Sequence, residues 1–108
     1  MAPIQTALAT DVTLHSLEQV TAESPRARRN LLMGIWAGRR LALPEAALPR
    51  YALDVMWADH AGSGDADVIR KLAADFDAAG CCVDEDALRA ELTAAQRRAY
   101  DDTLLHLL

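Results

Sequence analysis

The stretch S-P-R-A-R-R-N-L-L-M-G-I-W-A-G-R-R-L-A-L, residues 24–43, decides how the rest of this chain is read. Ser24 can cap a helix with its hydroxyl, and Pro25 suits the first helical position because its missing N–H would have no partner there. A helix over 25–41 follows. Leu31, Leu32, Ile35 and Trp36 recur at the three-to-four spacing of a buried stripe. Met33 and Ala37 widen that stripe until most of the circumference is apolar. Such a helix belongs in the middle of an assembly, with the other helices packed around it. Gly34 and Gly38 lie four apart on one face, where glycine costs about 1 kcal/mol relative to alanine. That cost is reasonable if a neighbouring helix crosses closely there.

The flanking sequence divides around this helix. Residues 3–22 carry a weaker helical pattern: Ile4, Leu8, Val12, then Leu14, Leu17 and Val20. Its apolar phase slips near Asp11–Thr13, and threonines lower its propensity. Residues 1–24 are therefore expected to form an N-terminal arm, helical or only partly ordered. After Pro44 a helix is expected over 44–59, with Leu48, Tyr51, Ala52, Val55 and Met56 inward and Pro49 disturbing its first turn. The segment 61–64 reverses the chain. Asp65 is expected to cap a helix over 65–79 that buries Val68, Ile69, Leu72 and Phe76 and ends at Gly80. Asp67 and Lys71 read as an i,i+4 ion pair. Asp84 caps a last helix over 84–105, with the stripe Leu88, Leu92, Ala95, Ala99 and Thr103. Short connections imply antiparallel neighbours. The expectation is an all-α protein: an antiparallel four-helix bundle over 25–108 as a single compact domain, with the arm added.

Composition agrees with this class. Hydrophobic residues make up 52% of 108 but aromatics only 5%, a balance that favours closely packed helices over sheets. The net charge of −5 is unevenly spread: residues 1–50 sum to +2 and residues 51–108 to −7. An acidic half of that size would repel a phosphate backbone, which argues against a nucleic-acid partner and for a protein partner. Cys81 and Cys82 are adjacent, cannot close a loop, and read as small hydrophobes in a reducing compartment. Neither a secretory signal nor an apolar run of spanning length is seen, so the expected location is the cytoplasm, with no membrane insertion.

Little in the pattern points to catalysis. His15, His60 and His106 are scattered and belong to no metal motif. Asp65 and Asp67 beside Gly64 begin like a calcium loop, but Ile69 occupies the next ligand position and no closing glutamate follows. Gly62–Gly64 could face a phosphate, yet no lysine follows and the two aspartates would repel it. No enzyme, no metal and no required cofactor are expected. The arginines are more informative. Arg26, Arg28 and Arg29 sit in a first helical turn, where positive charge opposes the helix dipole. They are expected to be compensated by acids of neighbouring helices such as Asp54, Asp59 or Asp75, or by an acidic partner or nucleotide phosphate.

From Ala27-Arg-Arg-Asn-Leu-Leu-Met-Gly-Ile-Trp-Ala37 onward the chain resembles the ATPase inhibitor subunit zeta family of the alpha-proteobacterial F-type ATP synthase. The likeness continues at Tyr51-Ala52, Ala58-Asp59 and Gly64-Asp65-Ala66-Asp67-Val68-Ile69-Arg70-Lys71. It is strongest at Ala74-Asp75-Phe76-Asp77-Ala78-Ala79-Gly80 and covers about residues 26–95. The resemblance implies a four-helix bundle that binds the catalytic head of the synthase and blocks ATP hydrolysis through a mobile N-terminal segment. It also implies weak ADP or ATP binding. The family's segment is strongly charged and carries phenylalanines, whereas residues 1–25 here hold no lysine, arginine or aromatic residue.

On this reading the partner-binding residues are Leu8, Val12, Leu14 and Leu17 of the arm with Arg28, Arg29 and Asn30 at the junction. Arg26, Arg28 and Arg29 are the candidate nucleotide contacts. The alternative is a paralogue that does not inhibit and acts as a small helical adaptor, with its arm held on the bundle, or as a weak nucleotide sensor.

Overall fold

The computed structural model describes residues 12–59 and 65–108. Among them the chain is all-helical: α1 (Leu14–Val20), α2 (Pro25–Arg40), α3 (Leu48–Ala58), α4 (Ala66–Ala78) and α5 (Glu85–Leu107), with a 3-10 turn at Glu45–Ala47 leading into α3. Part of the expected arm forms a helix of its own, and the described residues hold five α-helices. Leu8 and the 61–64 reversal lie outside the described residues.

Local chemistry sets the boundaries. The phase slip near Asp11–Thr13 becomes the start of α1. Thr13 Oγ1 accepts from the Ser16 N–H and Ser16 Oγ accepts from the Thr13 N–H, both at 3.0 Å, a reciprocal cap that satisfies two donors. Ser24 caps α2 as expected, accepting from the Ala27 N–H at 3.2 Å with Pro25 at the first position. α2 ends in a tight reversal in which the Leu43 N–H reaches Gly38 O and the Ala42 N–H reaches Arg39 O, both at 3.0 Å. Ala42 takes φ +60° to make that turn, a conformation glycine adopts more cheaply. Gly80 makes the equivalent turn after α4 at φ +73°, where the Cys81 N–H reaches Phe76 O at 2.9 Å.

Two expectations are corrected. Asp65 begins α4 without a side-chain cap; its carboxylate is taken by Arg29, a stronger, charged donor. Asp67 pairs with Arg70 at 2.9 Å, and Lys71 pairs with Asp75 at 3.0 Å, so the two do not meet each other.

α2 lies against both α3 and α5, and α4 joins α3 to α5 on the far side. The crossing of α2 and α3 is close because Gly34 sits directly on the α3 backbone. The main core comprises Met33 and Ala37 of α2, Val55 of α3, Val68, Ile69, Leu72 and Phe76 of α4, and Leu88 and Leu92 of α5. The Trp36 ring meets Phe76 edge-on, with centroids 5.9 Å apart. A second, separate cluster of Leu17, Leu31 and Ala52 seats α1 on α2 and α3. The stripe read from the sequence is therefore rotated. Leu31, Met33, Gly34, Ala37 and Gly38 are buried, while Leu32, Ile35 and Trp36 are only half-buried. The glycine face can approach α3 more closely than a face of branched side chains, and it turns the bulkier residues toward the gap between α1 and α5.

Candidate functional site

The three arginines at the start of α2 are compensated from within the molecule, but by two separate groups. Arg26 grips Asp59 with two bonds, Nε to Oδ2 at 2.6 Å and Nη2 to Oδ1 at 2.8 Å. Asn30 Nδ2 donates to the same Asp59 Oδ2 at 2.8 Å. Arg29 is 4% exposed and Asn30 2%, so both must find their partners inside. Arg29 Nε and Nη2 donate to Asn30 Oδ1 at 3.0 and 2.9 Å, and its Nη1 reaches Asp65 Oδ1 at 2.7 Å. Arg29 Nη2 also stands 3.5 Å from Asp59 Oδ2. Hydrogen bonding to Arg26 holds the Asp59 carboxyl below the usual carboxylate range, against the effect of burial, and Asn30 adds to it. The same bond raises the Arg26 guanidinium.

Asp59 follows the last residue of α3 and Asp65 precedes the first of α4. The first two turns of α2 thus clasp both ends of the 60–64 connection. Of the acids suggested by sequence, Asp59 takes part. Asp75 instead accepts from the Tyr51 hydroxyl at 2.7 Å. Burial, then this bond, lifts that hydroxyl far above the ordinary tyrosine value. Asp54 has no ion pair with these arginines.

Arg28 serves the other side of α2. Its Nη1 donates to Glu18 O at 2.9 Å and to Thr21 Oγ1 at 3.3 Å, and its Nε meets Asp102 Oδ2 at 3.3 Å. One guanidinium therefore pins the C-terminal end of α1 to α5. Arg26 and Arg29 line a small pocket of about 160 Å³ with Pro25, Gln96 and Tyr100. Arg28 lines a different one. The first volume is below the roughly 300 Å³ at which small-molecule sites begin, and the second, about 630 Å³, contains Arg28 without Arg26 or Arg29.

The predicted partner-binding residues divide by burial. Leu17, Arg29 and Asn30 are buried by the packing of α1 and by the clasp, and in this arrangement they present no surface to a partner. Val12, Leu14 and Arg28 are half-buried; Val12 packs on the Leu17 cluster, and Leu14 borders an open groove. That groove escaped the sequence reading because its apolar floor was assigned to the interior. Cys81 is half-buried against the main core and Cys82 is exposed, both free thiols. Among the described residues no three His, Cys, Asp or Glu side chains are placed to hold a metal ion, and no described helix is long and apolar enough to cross a membrane.

Comparison with known protein families finds a match. The family model for ATPase inhibitor subunit zeta matches residues 15–102. This span begins inside α1 and ends inside α5, wider at both ends than the motifs alone delimit. No curated protein and no solved structure matches.

Proposed function

The chain belongs to the ATPase inhibitor subunit zeta family, and on that footing we propose that it is a regulatory, non-catalytic subunit that binds the catalytic head of an F-type ATP synthase and blocks ATP hydrolysis. The observation that carries this reading is the extent of the family match, which runs from α1 through the arginine clasp to α5. In this reading the protein works in the cytoplasm, peripheral to the membrane through its partner, and residues 1–24 form an arm distinct from the 25–108 domain. Arg28 ties the C-terminal end of the arm's helix to α5, on the other side of α2 from the clasp.

A second reading is supported by one feature of the structure. α1 is seated by the buried Leu17 and tied by Arg28 to α5, which suits an adaptor whose arm stays docked. Hydrolysis by the purified catalytic head, measured with and without stoichiometric protein, tests the first reading. A several-fold loss of hydrolysis with co-purification supports it; undiminished hydrolysis without co-purification removes it. Co-purification without inhibition selects the adaptor. Weak ADP or ATP binding at Arg26, Arg28 or Arg29 would have to displace the carboxylates that hold them. Chemical shifts of their side chains at millimolar ADP test that separately.

A further inference from the structure

An open groove of about 660 Å³ runs along α2 between α1 and α5. Its floor is Leu32, Ile35 and Trp36, which with Arg39 fall at i, i+3, i+4 and i+7 and so form one ridge of the helix. α1 is only seven residues long, about 10 Å, and its Leu14 and Glu18 make one wall. Ala94 and Ala95 of α5 leave the other wall shallow. The floor spans about two helical turns, and no described helix covers it.

The charges at its edge are uneven. Arg39, Arg40 and Arg98 ring the groove, against Glu18 and Glu91. At the start of α2, Arg26, Arg28 and Arg29 all hold carboxylates. Here Arg40 lies over the Trp36 ring at 5.6 Å, and neither Arg40 nor Arg98 has an ion pair among the described residues. Arg39 meets only the exposed Glu45, at 3.5 Å, a contact worth little against solvent. Two of these arginines also suit the negative end of the α2 dipole, but Arg98 lies mid-helix in α5 and has no such role.

We infer that this groove is a docking site for an amphipathic helix of a partner protein, one whose apolar face fills the Leu32–Ile35–Trp36 floor and whose carboxylates reach Arg39, Arg40 and Arg98. In helix-in-groove recognition an amphipathic helix lays its apolar i, i+3, i+4 and i+7 anchors into such a groove. A guanidinium supplies direction by bidentate bonds to a carboxylate. The inference stands apart from the identity of the partner.

The test uses the full chain with Trp57→Phe, so that Trp36 is the single reporting indole. The probe is a fourteen-residue helical peptide with leucines at i, i+3, i+4 and i+7 and glutamates at one end; the control carries lysines in their place. The acidic peptide is expected to shift Trp36 emission saturably, and to bind at least tenfold more tightly than the lysine peptide. Arg98→Glu, on an exposed position, should weaken it about tenfold, and Leu32→Glu should abolish it while circular dichroism stays unchanged. Equal binding of both peptides overturns the inference, as does no shift up to millimolar acidic peptide. A Trp36 shift that follows protein concentration without peptide would show a second copy in the groove and also overturn it.

Discussion

Gly34 and Ala52 meet backbone to backbone: a Cβ built on Gly34 would lie 2.5 Å from the Cα of Ala52 and 3.0 Å from its Cβ. No side-chain rotation relieves a contact with a Cα atom. The crossing of α2 and α3, and with it the rotation that leaves Leu32, Ile35 and Trp36 half-buried, depends on this one missing methyl.

Gly34→Ala should therefore destabilise the protein by about 1–3 kcal/mol despite alanine's better helix propensity, read as a lower urea midpoint. Adding Ala52→Gly should recover little, because the clash is with the main chain. Gly38→Ala should cost less, since it meets the flexible end of the Leu48 side chain at 2.6 Å.

Ala42 and Gly80 form a matched pair of left-handed helix ends. Ala42→Gly should stabilise by about 0.5–1 kcal/mol by removing the steric cost of a Cβ at positive φ, while Gly80→Ala should destabilise by about 1 kcal/mol. Nothing lies within 4 Å of a Cβ at Gly80, so that loss is purely conformational. Thermal midpoints of the two variants should move in opposite directions.

Removing Arg29 leaves the buried Asn30 Oδ1 without its donor and takes the ion-pair partner from the half-exposed Asp65. Arg29→Ala should cost about 3–5 kcal/mol. Asp65→Asn, at a side chain that is 40% exposed, should cost at most about 1 kcal/mol. Similar losses for both would show that the clasp is not held from the Arg29 side.

The Asp59 carboxyl titrates lower in the folded protein than in the unfolded chain, chiefly through its bond to Arg26. Its contribution is present above the unfolded value of about 4 and is lost as pH falls through the folded one. Asp59→Asn should lower stability at neutral pH and flatten the acid limb of the stability profile. Tyr51 works in the opposite sense. Its folded value is raised by burial and by Asp75, so stability present below about pH 10 is lost as pH rises. Tyr51→Phe should weaken that alkaline loss.

Much of the scaffold could be read from residues. Ser24-Pro25, Gly80, and the stripes of α4 and α5 each combine a period with a stop signal, and the structure keeps them. What could not be read was competition. Asp65 has the form of a cap, but a buried guanidinium from a distant helix outbids the local N–H groups for it. Leu32, Ile35 and Trp36 have the period of a core, but the choice between two apolar faces of α2 was settled by Gly34, whose advantage is an absence of atoms. The clasp leaves one trace in sequence, aspartates 59 and 65 on either side of a glycine-rich connection, and nothing there says which arginine reaches them. Helix α5 also runs past the expected end at 105 to Leu107, with Asp102 held by Arg28.

The two apolar clusters have a consequence for how such a protein can change over generations. Leu72, Phe76, Leu88 and their neighbours close the main core without help from α1; α1 is seated on a separate cluster with Leu31 and Ala52 and held by Arg28. A substitution in residues 12–21 is thus met by a handful of local adjustments, and the clasp and the main core are inherited untouched. The scaffold works as a chassis on which arms of different chemistry can be exchanged.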